Sequence, residues 1–176
     1  MCDRERYLIK VDSTNATSGT SNSFVVYLPI PLLNVVKVEV LSASITPTSN
    51  SSPVLYLHAE ELISKFLNRA TVNYSFSANS NVLSSVGTLS ASLTNESKLA
   101  EALVAVPVDT TRASASPVIY TTGGFFPTVV DYIDPIRQVS KLTINVYNST
   151  GAQPAMSGPT YITFQFECAK KNARQY

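Results

Sequence analysis

Apolar and polar residues change places at every second position through most of this chain, in short runs. The run from Tyr161 to Glu167 is the cleanest. Tyr161, Thr163, Gln165 and Glu167 fall on one face, and Ile162, Phe164 and Phe166 on the other. Leu142 to Tyr147 repeats the pattern, with Leu142, Ile144 and Val146 against Thr143, Asn145 and Tyr147. Runs of this kind, rich in β-branched and aromatic residues, predict strands with one dry and one wetter face. Thr150-Gly151 breaks the chain between them. Upstream, Pro135 forbids a regular helix through Asp134 and Ile136 and biases Asp134 to an extended backbone.

The rest of the chain reads in the same way. Tyr7 to Val11 predicts a first strand, and Ser13 to Ser23 a long polar loop. Phe24 to Leu28 predicts a strand stopped by Pro29 and Pro31. Asn34 to Ile45 is the longest β run, with Val36, Val38 and Val40 on one face and Lys37 and Glu39 on the other. Thr46-Pro47 and the cluster Ser49 to Pro53 end it, and Val54 to His58 begins another. At Ala59 to Arg69 the period changes. Ala59, Leu62, Ile63, Phe66 and Leu67 stand at helical spacing, which favours a two-turn helix over a strand with an irregular turn. Thr71 to Phe76 and, more weakly, Val82 to Leu93 read as strands. Lys98 to Val108 suits either a helix or a strand over Leu103 to Val108. Val118 to Thr121 and Phe125 to Tyr132 flank Gly123-Gly124.

Eight to ten short strands, frequent turn signals, little helix and no internal repeat predict an all-β sandwich or barrel. No composition break divides the 176 residues, so residues 1–176 read as a single domain with tails of about 1–6 and 169–176. Such a domain hides roughly 70% of its unfolded surface.

Composition sharpens the picture in one respect. Charged residues are 14% of the chain, against a usual value of about 25%, while Ser, Thr and Asn supply 52 residues. The surface is therefore largely neutral and polar, and neighbours can cover it without burying unpaired charge. A net charge of +1 gives no electrostatic case for nucleic acid. No apolar run reaches the roughly 18 residues of a membrane span. The opening MCDRERYLIK has no signal-peptide core, so the sequons at Asn15, Asn50, Asn73, Asn95 and Asn148 read as chance matches in an Asn/Ser/Thr-rich chain. Cys2 and Cys168 read as two free thiols, or as a pair if the first and last strands lie side by side.

The chemistry-bearing residues are few. The sole histidine, His58, sits in a strand-like segment with no cysteine nearby, which supports neither a nucleophile–base pair nor a zinc site. Glu60 and Glu61 are neighbours that point apart in either regular structure. Asp131 and Asp134 bracket what reads as a turn before proline. Gly123-Gly124 lacks the surrounding motif of a phosphate loop. The basic tail with Lys170, Lys171 and Arg174 reads as a solvated end, or as a contact for phosphate, lipid headgroups or an acidic neighbour. The expectation is a non-enzyme with no catalytic, cofactor-binding or metal residues.

Three segments in order carry a resemblance. YLIKVDS, a polar loop and SFVVYLPIPLLNVVKVEVLSASI, then YLHAEEL, then YIDPIRQVSKLTINVYNSTG followed by YITFQFEC, are similar to the single-jelly-roll penton capsid proteins of nucleocytoplasmic large DNA viruses and their virophage and polinton relatives. They cover about half the chain, and each is mostly alternation plus a turn. The resemblance implies a single jelly roll with eight main antiparallel strands in two sheets, and at most one or two short helices. It implies that the first and last strands are neighbours, and that the strands on either side of Gly151 to Pro159 lie in opposite sheets. It further implies a homopentamer closing the five-fold vertices of a virion shell, assembled inside the host cell. The partners would be major capsid capsomers and other minor capsid proteins, with no cofactor. Two other readings stand beside it: another minor capsid protein, and a TNF-like or lectin-like binding module, although the latter lacks tryptophan for sugar stacking.

Overall fold

Two long strands, each threaded through both layers, organise the molecule. The structure, a computed structural model, describes residues 4–63, 102–122 and 129–170. Its strands are β1 (Arg4–Asp12), β2 (Ser18–Thr20), β3 (Ser23–Ile45), β4 (Val54–Ala59), β5 (Val104–Pro107), β6 (Val118–Thr121), β7 (Val129–Asn148) and β8 (Tyr161–Ala169). Every pairing among them is antiparallel. The second half of β3 pairs with β8 on one side, and with β6 and the start of β7 on the other; β1 lies outside β8. The first half of β3 pairs with β2 and with the end of β7, which continues to β4 and β5. That order is a jelly-roll sandwich whose sheets share β3 and β7. As expected, β1 and β8 are neighbours, in register from Arg4 opposite Ala169 to Asp12 opposite Tyr161. The strands on either side of the Gly151 to Pro159 segment are not paired with each other, since β3 lies between β7 and β8.

Prolines mark where the shared strands turn from one layer to the other. Pro29 and Pro31 do not stop a strand, contrary to expectation. Between the pairs Tyr27–Lys141 and Leu32–Val139, β3 carries four residues, Leu28 to Pro31, against the single Ser140 of β7. Between Val35–Ile136 and Lys37–Asp131 the excess reverses, with Tyr132 to Pro135 of β7 against Val36. Each insert breaks the ladder where proline has no N–H to give, and lets the strand bend. Because the two inserts are equal and lie on opposite strands, the register beyond them is restored. Asp131 accordingly lies in β7 opposite Lys37, not at a turn, and Asp134 sits in the corner insert.

Alternation along β3 is reset at each irregularity. Its buried positions are Phe24, Leu28, Leu32, Val35, Val38, Val40, Ala43 and Ile45. Val36 was expected to share a face with Val38 and Val40, yet it is only half-buried and Val35 fills the core instead. The cause is local: Asn34 has φ 53°, a left-handed conformation that asparagine tolerates, and the register shifts again before Lys37. Downstream, the simple pattern holds. Leu142, Ile144 and Val146 are buried in the same core as Ile162, Phe164 and Phe166.

Three other expectations change. Ser13 to Ser23 is not plain loop: Ser13–Asn15 forms one 3-10 turn, and β2 folds back on β3 through Ser21-Asn22. Gly19 makes that hairpin possible, since at φ +110° a Cβ there would run into the Ser23 carbonyl oxygen. In Ala59 to Arg69, the described part is the end of β4 followed by a single 3-10 turn at Glu60–Leu62, because Ala59 completes the ladder opposite Ile144. Leu103 to Val108 takes the strand option, with Val104–Pro107 pairing to β4. The expectations for Phe66 and Leu67, Thr71 to Phe76, Val82 to Leu93, Phe125 to Thr128, Gly123-Gly124, Cys2 and the tail beyond Lys170 lie outside the described residues. Cys168 carries a free thiol, buried opposite Glu5; burial, with some help from that carboxylate, raises its pKa and keeps it unreactive.

Phe164 is fully buried with its ring centroid 5.8 Å from that of Phe166. Phe164→Ala should cost about 3–5 kcal/mol, read as a lower urea midpoint at unchanged m-value. A shift equal to that of an exposed control such as Tyr161→Ala would show that the two layers do not close here.

Candidate interaction surfaces

His58, Glu60 and Glu61 make their contacts within the scaffold. His58 is buried in β4, edge-on to the Tyr147 ring at 5.1 Å and 87°. Glu60 and Glu61, expected to point apart, both reach β7. The Glu61 carboxylate accepts from Thr143 N and Thr143 Oγ1, each at 2.7 Å, with Lys141 Nζ at 3.7 Å. Glu60 Oε1 accepts from Asn145 Nδ2 at 3.0 Å. Because β4 ends at Ala59, opposite Ile144, a carboxylate takes over the next position of the ladder and satisfies a backbone donor of β7. Buried Asn145 is completed by Ser23 Oγ at 2.8 Å and Gln153 Nε2 at 3.2 Å. Among the described residues, no three His, Cys, Asp or Glu side chains are grouped to hold a metal ion. No described helix is long and apolar enough to cross a membrane.

The outer face of the β1–β8–β3 layer carries a row of alternating charge. Register aligns Arg6, Glu167, Lys37 and Asp131 across four strands. Glu167 binds Arg4 Nη1 at 3.0 Å and Arg6 Nε at 3.2 Å. Its residual exposure is 5%. The hydrogen bond from Arg4, aided by the charges of Lys37 and Arg6, holds its carboxyl below the ordinary value of 4.5. Alternation predicts Glu167 on the wet face; its partners Arg4 and Arg6 come from a strand 161 to 163 residues away in sequence, which no local pattern reveals. Further along the same face, Ser42, Ser44, Thr163, Tyr161 and Ile119 line a shallow groove of about 510 Å³.

At one end of the sandwich the segments 13–22, 46–53, 108–117 and 149–160 are tied together by neutral groups. Ser13 N donates to Thr160 O at 3.0 Å, and Thr160 N donates to Ser13 Oγ at 2.9 Å. Asn22 Nδ2 reaches Pro154 O at 2.9 Å. Thr48 N donates to Ala155 O at 2.8 Å, Ser157 N to Thr46 O at 2.9 Å, and Val108 N to Pro53 O at 2.8 Å. Ser52 Oγ donates to Val54 O and accepts from Ser149 N. The charged residues of these four segments are Asp109 and Arg112. Of these four segments, Ser13 to Ser23 was expected as a long polar loop, and the convergence of the other three on it was missed because nothing local shows it.

No protein-family model matches this chain, and no curated protein sequence matches it.

Glu61→Ala leaves the Thr143 N–H and hydroxyl without their acceptor and should cost about 1–3 kcal/mol in urea unfolding. A loss no larger than that of Lys141→Ala would reduce Glu61 to a surface ion pair. Glu167 gives a pH prediction. Its folded pKa is depressed, so its contribution is complete above about pH 4.5 and is lost as pH falls through the folded value. Wild-type protein should therefore lose more stability on acidification below pH 4.5 than Glu167→Gln, by up to about 1 kcal/mol for pairs this exposed on the arginine side. Parallel stability–pH curves would remove the clamp.

Proposed function

We propose that this chain is a structural capsid subunit, a penton protein that forms a homopentamer at the five-fold vertices of an icosahedral viral shell and packs there against major capsid capsomers. The observation that carries the reading is the jelly-roll sandwich whose four connecting segments converge into one neutral, hydrogen-bonded end. With Asp109 and Arg112 as the charged residues of those segments, such an end leaves few charges to be stranded when it is packed around a symmetry axis. Three features add support. The polar side chains that could have formed an active site hold strands together. The described surface is poor in charge and rich in hydroxyls. Apolar side chains stand out at the two strand corners, with Ile30 72% and Ile133 79% exposed and Leu33 beside them in β3, where a neighbouring subunit would cover them.

A head-to-tail ring needs two different flanks; the edge strand β1 and the corner inserts of β3 and β7 are the two surfaces this reading assigns to them. No turnover or cofactor belongs to this role.

Light scattering or native mass spectrometry of the purified chain should give five times the 19.0 kDa protomer mass, either directly or after crowding or mild heating of a monomer. A stable trimer with affinity for a glycan or receptor would replace this reading with a TNF-like or lectin-like binding module. A monomer under all these conditions that still decorates capsids would point to another minor capsid role.

A further inference from the structure

Arg112 is the one basic side chain of the loop end, and its hydrogen bonds are incomplete. Its Nε donates to Asn50 Oδ1 at 3.0 Å, and Asn50 Nδ2 donates back to the Arg112 carbonyl at 2.6 Å. This reciprocal pair bridges two segments and fixes the plane of the guanidinium, because Nε and both terminal nitrogens are coplanar. Nη1 and Nη2 are shielded from solvent, and no acceptor among the described residues lies within hydrogen-bond reach of either. Asp109 does not supply one. Its carboxylate accepts from Thr111 N at 2.8 Å and Thr111 Oγ1 at 2.6 Å, and Arg112 acts on it only through longer-range attraction.

A guanidinium has five N–H donors, and one is used here. Holding the remaining fork in a dry place without an acceptor is unfavourable, since buried charged donors left unmatched lose their hydration and gain nothing. The fork formed by two terminal nitrogens matches the two oxygens of a carboxylate or phosphate. We propose that Arg112, positioned by Asn50, is an oxyanion-binding group that takes a carboxylate or phosphate on Nη1 and Nη2. One positive charge suits a single small oxyanion rather than a polyanion. The site stands on these contacts and not on the capsid reading.

The test follows the Arg112 side-chain Nε–H by ¹⁵N NMR in the full chain. Sodium acetate and sodium phosphate are titrated separately at constant pH and ionic strength, with chloride as the balancing ion. The expected result is a saturable shift with at least one of the two, and none when chloride alone is varied. Thermal midpoints provide the second readout. They should rise with the same oxyanion in wild type, rise less in Asn50→Ala, and not rise in Arg112→Lys, which keeps the charge but loses the fork. Urea midpoints for each variant establish that it is folded.

A shift that chloride reproduces, or oxyanion stabilisation that Arg112→Lys retains, overturns the site. So does a wild-type Nε signal that neither ion moves at any protein concentration. If the signal is already shifted in an assembled form, ignores added ions there, and responds to them on dilution to monomer, the oxyanion is a carboxylate of a neighbouring copy. If the monomer binds phosphate or acetate and no assembly forms, the oxyanion is a free ion, and the pentamer reading falls without the site.

Discussion

The ladder between β3 and β7 is the constraint on which the rest of the molecule depends. Both strands pass from one layer of the sandwich to the other, so each must break its pairing to bend. A single break would shift every later pair and turn the buried face outward, because side chains alternate with a period of two. Here the break in β3 at Leu28 to Pro31 is matched by one of equal size in β7 at Tyr132 to Pro135. The ladder therefore resumes in phase, with Lys37, Val38 and Glu39 opposite Asp131, Val130 and Val129. β8 and β6 can then dock on the second half of β3, and β4 on the end of β7.

That geometry determines what becomes of the polar residues. Where a strand ends early, a side chain replaces it: Glu61 serves Thr143 beyond the last pair of β4. Where a charge is placed on an outer face, strands distant in sequence bring its counter-charges, as Arg4 and Arg6 of β1 do for Glu167 of β8. Where four connections meet, neutral donors and acceptors bind them. Buried and half-buried polar groups with these partners stabilise one arrangement of strands over others, since any slip would leave several of them unsatisfied at once. Arg112 is the exception, with donors directed to no described acceptor.

The sequence on its own determined the class of fold and most strand positions. Period-two alternation at Leu142 to Tyr147 and at Tyr161 to Glu167 reports the dry face directly, because every second side chain must enter the core. It also marked Pro29, Pro31 and Pro135 as interruptions, since a residue without an N–H interrupts any ladder. Only the tertiary structure decided what the interruptions were. Whether a proline ends a strand or bends it depends on an equal insert in the facing strand, more than 100 residues away. Asn34 likewise moved Val36 out of the core through its own backbone angle, which hydrophobicity does not encode. The partners of Glu61 and Glu167 and the clamp between Asn50 and Arg112 join residues 62 to 163 positions apart. Local pattern dictates which face of a strand is dry, but the order of strands dictates which polar groups meet, because hydrogen bonds and ion pairs act only at contact distance.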